Sequence, residues 1–204
     1  MAGHPYNTDD AGVVPDRSFE IEASGGVDFL GSADGGLVIK YGVGDRFDLG
    51  VSFGALFPAD TAHTLTRPSI GMKFNLIPDR LTLSAASALA EQDFSLCAIL
   101  TGGFGKTSMH ANIGFGSTEE ESELLLFAGT IQQALGSWTV GAELFGDQLH
   151  TPLWQIGIAH TFQMPVVASL GLGGTLNSSD DLTITIGVTI SIDTQETKTK
   201  SGHP

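Results

Sequence analysis

The chain has 204 residues, of which 41% are hydrophobic, yet no stretch approaches the roughly 18 to 20 consecutive apolar residues that a transmembrane helix needs. It carries 9 Lys and Arg against 23 Asp and Glu, for a net charge of -14, which argues against nucleic-acid binding and against electrostatic adhesion to an anionic membrane surface. Cys97 is the only cysteine, which excludes an intramolecular disulfide and a cysteine zinc cluster. Residues 1–5 contain no apolar signal segment, and this does not decide between an exported and a cytosolic protein.

The predicted elements begin after residue 16. Residues 1–16 contain Pro and Asp without alternation, and we interpret them as a periplasmic segment or a plug. Residues 17–192 alternate with a period of two, the side-chain period of a β-strand. In the most regular example, from Leu182 to Ile192, Leu, Ile and Val alternate with Thr, Gly and Ser. Residues 193–204 are polar and without periodicity, and we expect them to be disordered.

The alternation predicts about twelve strands along the chain. They are placed at residues 18–29, 37–43, 46–57, 68–77, 80–90, 95–105, 108–116, 123–134, 137–146, 152–163, 166–176 and 182–192. Most are about 9 to 11 residues long, the length with which a tilted strand crosses a bilayer. The predicted fold is therefore all-β: a transmembrane antiparallel up-and-down β-barrel, in which closure pairs every strand and an even strand number is usual.

The connections differ in length along the predicted chain. Tight connections follow every second strand, at Gly44-Asp45, Pro78-Asp79, Lys106-Thr107, Leu135-Gly136 and Met164-Pro165. The others are mostly longer and more acidic, as at residues 58–67, 117–123 and 177–181. Outer-membrane barrels have short periplasmic turns and longer external loops, so this parity predicts that both termini are periplasmic.

Aromatic residues on the apolar face mark the two ends of the predicted strands. Those at the periplasmic end are Phe19, Tyr41, Phe47, Phe104, Trp138 and Phe162. Those at the outer end are Phe29, Phe57, Phe115 and Trp154. Two aromatic belts around an aliphatic band are typical of a membrane barrel.

A soluble β-sandwich or lipocalin-like barrel is the alternative fold, since alternation alone does not say which face points inward. The opposite face favours the membrane interpretation. A soluble barrel shows charged side chains to water, whereas this face is mostly Gly, Ser, Thr and Ala.

Strand parity places a set of polar side chains in the lumen. The predicted lumen residues are Glu20, Glu22, Asp28, Lys40, Asp48, Lys73, Asn75, His110, Asn112, Glu143 and Gln155. Buried charges need water or partners, so two interpretations stay open. One is a hydrated, mildly cation-preferring pore. The other is a closed interior in which Lys40 pairs with Glu22 and Lys73 with Asp48.

No motif for catalysis, metal or cofactor binding emerges from the sequence. The Gly-Lys-Thr at residues 105–107 lacks the earlier glycine of a phosphate-binding loop, since position 100 is Leu. The six histidines form no metal-ligand pattern. His110 and Asn112 share a face, as in the His-Asn-Ser site of an outer-membrane phospholipase, but they are predicted to face the lumen. We expect no enzymatic activity, cofactor or metal.

The opening residues His4 to Gly12, followed by Phe19-Glu20-Ile21-Glu22, contain Thr-Asp-Asp-x-Gly and a later Phe-x-x-Glu. This start resembles a family of outer-membrane transporters associated with the meta-pathway of phenol degradation. The resemblance covers about 20 residues, and the rest of the chain agrees in its barrel pattern only. It implies a channel for small organic compounds and names no cargo.

Together these patterns predict a channel or passive transporter in the bacterial outer membrane, through whose polar, mildly cation-preferring lumen small solutes pass. Its expected partners are the lipid bilayer, lipopolysaccharide and small solutes, and not nucleic acid. Two alternatives remain open: an outer-membrane enzyme acting on lipids, and a structural or engineered barrel whose lumen is occluded. The oligomeric state is not predicted.

Overall fold

The computed structural model describes residues 7–59, 61–89, 93–117, 124–163, 165–178 and 181–194. The predicted tail, 193–204, lies outside these residues except for its first two positions. Within the described ranges, no helix is long and apolar enough to cross a membrane.

Twelve β-strands form the fold. They are β1 Ser18–Asp28, β2 Ala33–Val43, β3 Phe47–Phe57, β4 Thr64–Ile77, β5 Leu81–Ala88, β6 Phe94–Phe104, β7 Thr107–Ser117, β8 Leu124–Leu135, β9 Trp138–Asp147, β10 Leu153–Thr161, β11 Val166–Thr175 and β12 Thr183–Asp193. Each strand pairs antiparallel with its neighbours in sequence, and β1 pairs with β12 to close the barrel. Closure leaves no strand edge, so the ladder hydrogen bonds are satisfied around the whole wall.

The two ends of the barrel differ in their connections. At one end, which we name the tight-turn end, the strands are joined by short turns at residues 44–46, 78–80, 105–106 and 136–137, and β10 ends and β11 begins at this same end. Gly44 and Gly136 adopt positive φ angles of 66° and 70° in two of these turns, a conformation that glycine tolerates without strain. The opposite end, the long-loop end, contains the other connections. The first residue of β1, Ser18, and the last residue of β12, Asp193, both lie at the tight-turn end.

The barrel is apolar outside and polar inside. In β12, Ile186 is 60% exposed, whereas Thr189 is 5% exposed. The few buried apolar side chains among the described residues are Ala11, Val14, Ile99 and Leu124, whereas the buried polar set is much larger. A soluble barrel has the reverse arrangement, so the predicted transmembrane barrel is confirmed and the soluble alternative is wrong.

Two strands begin earlier than the alternation predicts. β2 begins at Ala33 rather than residue 37, because Gly35 and Gly36 pair with β1 and β3 on either side. β4 begins at Thr64 rather than residue 68, and its register against β3 shifts between Ser52 and Gly54. Neither extension shows apolar alternation, since the pairing of neighbouring backbones decides these bounds.

Candidate functional site in the barrel lumen

The N-terminal residues 7–16, here named the lumen segment, lie inside the barrel. At the tight-turn end the segment is attached to the wall, where Asp16 forms a parallel bridge with Gly42 and accepts a hydrogen bond from the N–H of Gly44 at 2.7 Å. From there it crosses the lumen to Glu143 on β9. Several of the wall residues that contact the segment are side chains that strand parity had placed in the lumen.

Lys73 on β4 binds the middle of the lumen segment. Its ammonium group donates to Asp9 Oδ1 at 2.9 Å, to the Asp10 carbonyl at 3.0 Å and to the Gly12 carbonyl at 2.9 Å. A lysine ammonium has three donors, and here all three are used. The alternative pairing of Lys73 with Asp48 is therefore replaced by contacts with the segment, although the two residues are directly opposite on β3 and β4.

Glu143 on β9 binds the start of the described chain. Its carboxylate accepts from the backbone N–H and side-chain Nδ2 of Asn7, and from the backbone N–H and Oγ1 of Thr8, at 2.8 to 3.2 Å. Thr130 Oγ1 on β8 donates to the same carboxylate at 3.4 Å. A buried carboxylate without donors is costly, so these five donor groups compensate for its removal from water.

The segment also forms hydrogen bonds to the barrel wall through its own backbone, at residues 11 and 14. The N–H of Ala11 donates to Thr101 Oγ1 at 2.8 Å, and Thr82 Oγ1 donates to the Ala11 carbonyl at 2.6 Å. The N–H of Val14 donates to Asp48 Oδ2 at 3.0 Å. These bonds satisfy backbone groups that have no strand partner.

His110 and Asn112 on β7 both take part in this lumen network. His110 Nδ1 lies 3.0 Å from Thr101 Oγ1. The Asn112 carboxamide, in the orientation that matches its neighbours, accepts from the Asp9 N–H at 2.7 Å and donates to the Asp9 carbonyl at 2.9 Å. Both side chains face inward and lie next to the segment.

A separate ion cluster lies on β1 and β2. Lys40 Nζ is 3.1 Å from Glu20 Oε1 and 3.0 Å from Glu22 Oε1. The predicted pairing of Lys40 with Glu22 is thus present, and Glu20 joins it. Two carboxylates around one ammonium leave the cluster with a net negative charge.

The remaining predicted lumen residues lie at different levels of the barrel. Asn75 is buried near the tight-turn end, and its Oδ1 has no hydrogen-bond partner among the described residues. Gln155 is buried and donates to Thr185 Oγ1 at 3.0 Å. Asp28, at the long-loop end, accepts from the N–H groups of Leu30 and Ser32 and so shapes the β1–β2 connection.

Cavities lie on both sides of the lumen segment. One of about 200 Å³ at the tight-turn end and one of about 230 Å³ along the β3–β5 wall share four lining residues, Asp9, Lys40, Asp48 and Lys73. A third, of about 450 Å³, opens at the long-loop end, with Asn7 of the segment on its wall. The carboxylates of Asp28, Asp34 and Asp181 line this third cavity.

The aromatic residues lie at the two ends of the outer surface. Phe19 and Tyr41 pack together at the tight-turn end, with ring centroids 4.7 Å apart. Phe47, Phe104, Trp138 and Phe162 lie at the same end. At the long-loop end Phe115 packs against Phe94, with centroids 6.1 Å apart, and Phe29, Phe57 and Trp154 lie at the same level of their strands.

Sequence reasoning missed how the segment is held. Thr8, Asp10, Ala11 and Val14 are buried, and none of them was predicted as a lumen residue. The sequence did offer one signal. Glu143 was predicted to face inward, yet no partner for its charge was predicted on the neighbouring strands. That unmet requirement pointed to a polar group arriving from outside the wall.

The fold and its polar lumen define the class: a twelve-stranded transmembrane β-barrel of the outer-membrane type. No family model and no curated protein matches the chain. Among solved structures it is similar to the KdgM porin, with a TM-score of 0.64 and 11% identity over 85% of this chain and 99% of the other.

Two further barrels share the fold. The COG4313 outer membrane channel from Pseudomonas putida F1 has a TM-score of 0.55 and 11% identity over 92% of this chain and all of the other (100%). The outer membrane phospholipase A from Escherichia coli has a TM-score of 0.54 and 8% identity over 89% and 98% of the two chains. At these identities the likeness shows the fold. The resemblance to the phenol meta-pathway family stays a prediction.

Proposed function

We propose that this protein is an outer-membrane channel that lets small polar solutes pass through its lumen by passive diffusion. The observation on which the proposal rests is the inside-out barrel, whose polar interior keeps cavities at both ends. Structural similarity to a porin and to an outer membrane channel supports the same interpretation.

The proposed path runs between the lumen segment and the wall formed by β3, β4 and β5. Small residues line this wall, namely Gly50, Ser52, Ser69, Gly71, Ser84 and Ala86. Their short side chains leave space beside the segment, whereas the opposite wall bears larger groups such as Gln132 and Gln155. The two smaller cavities share four lining residues, and we propose that the path leads from one to the other toward the tight-turn end.

We propose a mild preference for cations. Along the path, the carboxylates of Glu20, Glu22 and Asp48 exceed the charge of Lys40, while Asp9 offsets Lys73. The connections at the long-loop end contain acidic residues and neither Lys nor Arg, and Arg67 near the start of β4 is the one basic residue close to them. A mouth with a net negative charge attracts cations and raises their local concentration.

We further propose that the barrel resides in the bacterial outer membrane, with both termini periplasmic and the long-loop end outside. Its neighbours among solved structures are outer-membrane proteins. The exposed aliphatic band would contact lipid, and the acidic long-loop end would lie among lipopolysaccharide head groups. This orientation follows the usual rule that external loops are the longer ones.

A lipid-acting enzyme is the weaker alternative, favoured by the shared fold with a phospholipase. A site that cleaves membrane lipid must reach the lipid. His110 and Asn112 instead face the lumen and bond to Thr101 and to the backbone of Asp9. We therefore propose that the protein is not an enzyme. Turnover of labelled phospholipid that is lost on His110→Ala would reverse this assignment.

Planar-bilayer recording tests the channel directly. Folded protein should produce discrete conductance steps in KCl, and a KCl gradient should give a reversal potential of the sign that K⁺ selectivity requires. The absence of steps from protein shown to be folded by circular dichroism would reject the open channel. A reversal potential of the opposite sign would reject the cation preference alone.

A further inference from the structure

We propose that the lumen segment is a gate, held by Lys73 and Glu143, whose release joins the cavities at the two ends into one wider passage. This inference rests on the proposed channel function and adds its regulation. The segment separates the cavity at the tight-turn end, lined by Asp9, Asp10 and residues 12–15, from the cavity at the long-loop end, lined by Asn7.

The way the segment is attached permits its release. It enters from the tight-turn end and belongs to no ladder of the closed barrel apart from the single bridge at Asp16. Moving residues 7–14 therefore breaks no hydrogen bond between two strands of the wall. Only two of its residues, Ala11 and Val14, are buried apolar side chains, so little apolar surface holds it in place.

The middle and the N-terminal end of the segment are held by opposite charges. Lys73 donates hydrogen bonds to residues 9, 10 and 12, and Glu143 accepts hydrogen bonds from residues 7 and 8. Asp9 is 37% exposed at its side chain and borders two cavities, so solvent reaches the ion pair with Lys73. Water and ions can replace the partners of both charges when the segment leaves, which lowers the cost of opening.

A reversible disulfide tests whether movement of the segment opens the channel. In a Cys97→Ser background, Ala11→Cys with Thr101→Cys places two thiols on neighbouring residues of the segment and β6, where the Ala11 backbone nitrogen lies 2.8 Å from Thr101 Oγ1. The matched control, Thr107→Cys with Gln133→Cys, joins two directly opposed residues of β7 and β8 that do not line the cavities, and it leaves the segment free. Free-thiol labelling and mass spectrometry report the bond in each variant.

Single-channel recording before and after reduction gives the result. We expect the oxidised 11–101 variant to lose its larger conductance level and to regain it on reduction, while the 107–133 control behaves alike in both states. An oxidised 11–101 variant with the same levels and open fraction as its reduced form would overturn the gate and leave the channel proposal standing. An absence of steps in every variant, including the unmodified protein, would overturn the channel proposal itself.

A second variant makes the test independent of disulfide formation. Glu143→Gln removes the charge that binds Asn7 and Thr8. Weakening a set of charge-assisted hydrogen bonds should raise the fraction of time at the larger level by about tenfold. The control, Asp34→Asn, removes one carboxylate from the long-loop cavity without touching the segment. Equal open fractions in the Glu143→Gln variant and the unmodified protein would overturn the gate.

Discussion

Charged side chains inside a membrane barrel need partners or water, and the lumen shows two kinds of protein partner. Lys73 and Glu143 are hydrogen-bonded to the N-terminal segment, whereas Lys40 is paired with Glu20 and Glu22 on the neighbouring strand β1. The cluster around Lys40 also borders the proposed path. The net charge along the path is therefore set by individual residues. Replacing one of them should shift the ion selectivity in a direction that can be measured.

Lys40→Gln should increase the cation preference of the channel. The substitution leaves the carboxylates of Glu20 and Glu22 without their ammonium partner, so the path gains a net negative charge. The measurement is the reversal potential in a KCl gradient, which should move further in the K⁺-selective direction. Lys106→Gln, an exposed turn position, is the control and should have little effect. A shift of equal size in both variants would show that the charge near Lys40 does not act on permeating ions.

At the scale of the strand, each element has one face for lipid and one for the lumen. β12 shows the pattern without interruption, with Ile184, Ile186 and Val188 exposed and Gly187 and Thr189 buried. Because side chains alternate, neighbouring positions on one strand meet opposite solvents. A charge should therefore have different consequences at an outward and an inward position.

Val188→Arg should lower the free energy of unfolding by about 2 to 4 kcal/mol, since Val188 lies near the middle of β12 on the lipid-facing side. Thr185→Arg, on the inward face beside the acidic long-loop cavity, should cost far less. Urea unfolding from lipid vesicles, followed by tryptophan fluorescence, gives both values. A larger loss for Thr185→Arg than for Val188→Arg would contradict the assigned faces.

For the whole molecule, closure and charge distribution determine how the barrel can sit in a membrane. The long-loop connections are acidic, whereas Arg46, Arg80 and Lys106 lie in or beside the tight turns. The two ends are therefore chemically distinct. In the proposed orientation the tight-turn end faces the periplasm and the long-loop end faces the outside of the cell.

Cysteine labelling in intact cells checks this orientation. In the Cys97→Ser background, Thr151→Cys lies exposed in the β9–β10 connection and Asp45→Cys lies exposed in a tight turn. An impermeant maleimide should label the residue-151 variant in intact cells and the residue-45 variant only after the outer membrane is opened. The reverse pattern would place both termini outside, and labelling of neither in intact cells would argue against the outer-membrane location.

The strand alternation determined most of the fold, because a period of two with aliphatic and small polar faces needs a closed barrel in lipid. It also identified the inward charges, since parity depends only on position along a strand. Glycine-rich starts such as Gly35-Gly36 were missed, because their strand pairing depends on neighbours rather than on side chains.

The tertiary structure alone decided what meets Lys73 and Glu143. Their partners come from residues 7–12, which are separated from Glu143 by more than 130 positions in sequence. Such a contact has no periodic signature, because the segment bonds mainly through its backbone, whose donors and acceptors are the same for nearly every residue. The sequence therefore specifies the wall, whereas the path of the segment through the lumen follows from the three-dimensional placement of buried charges that need partners.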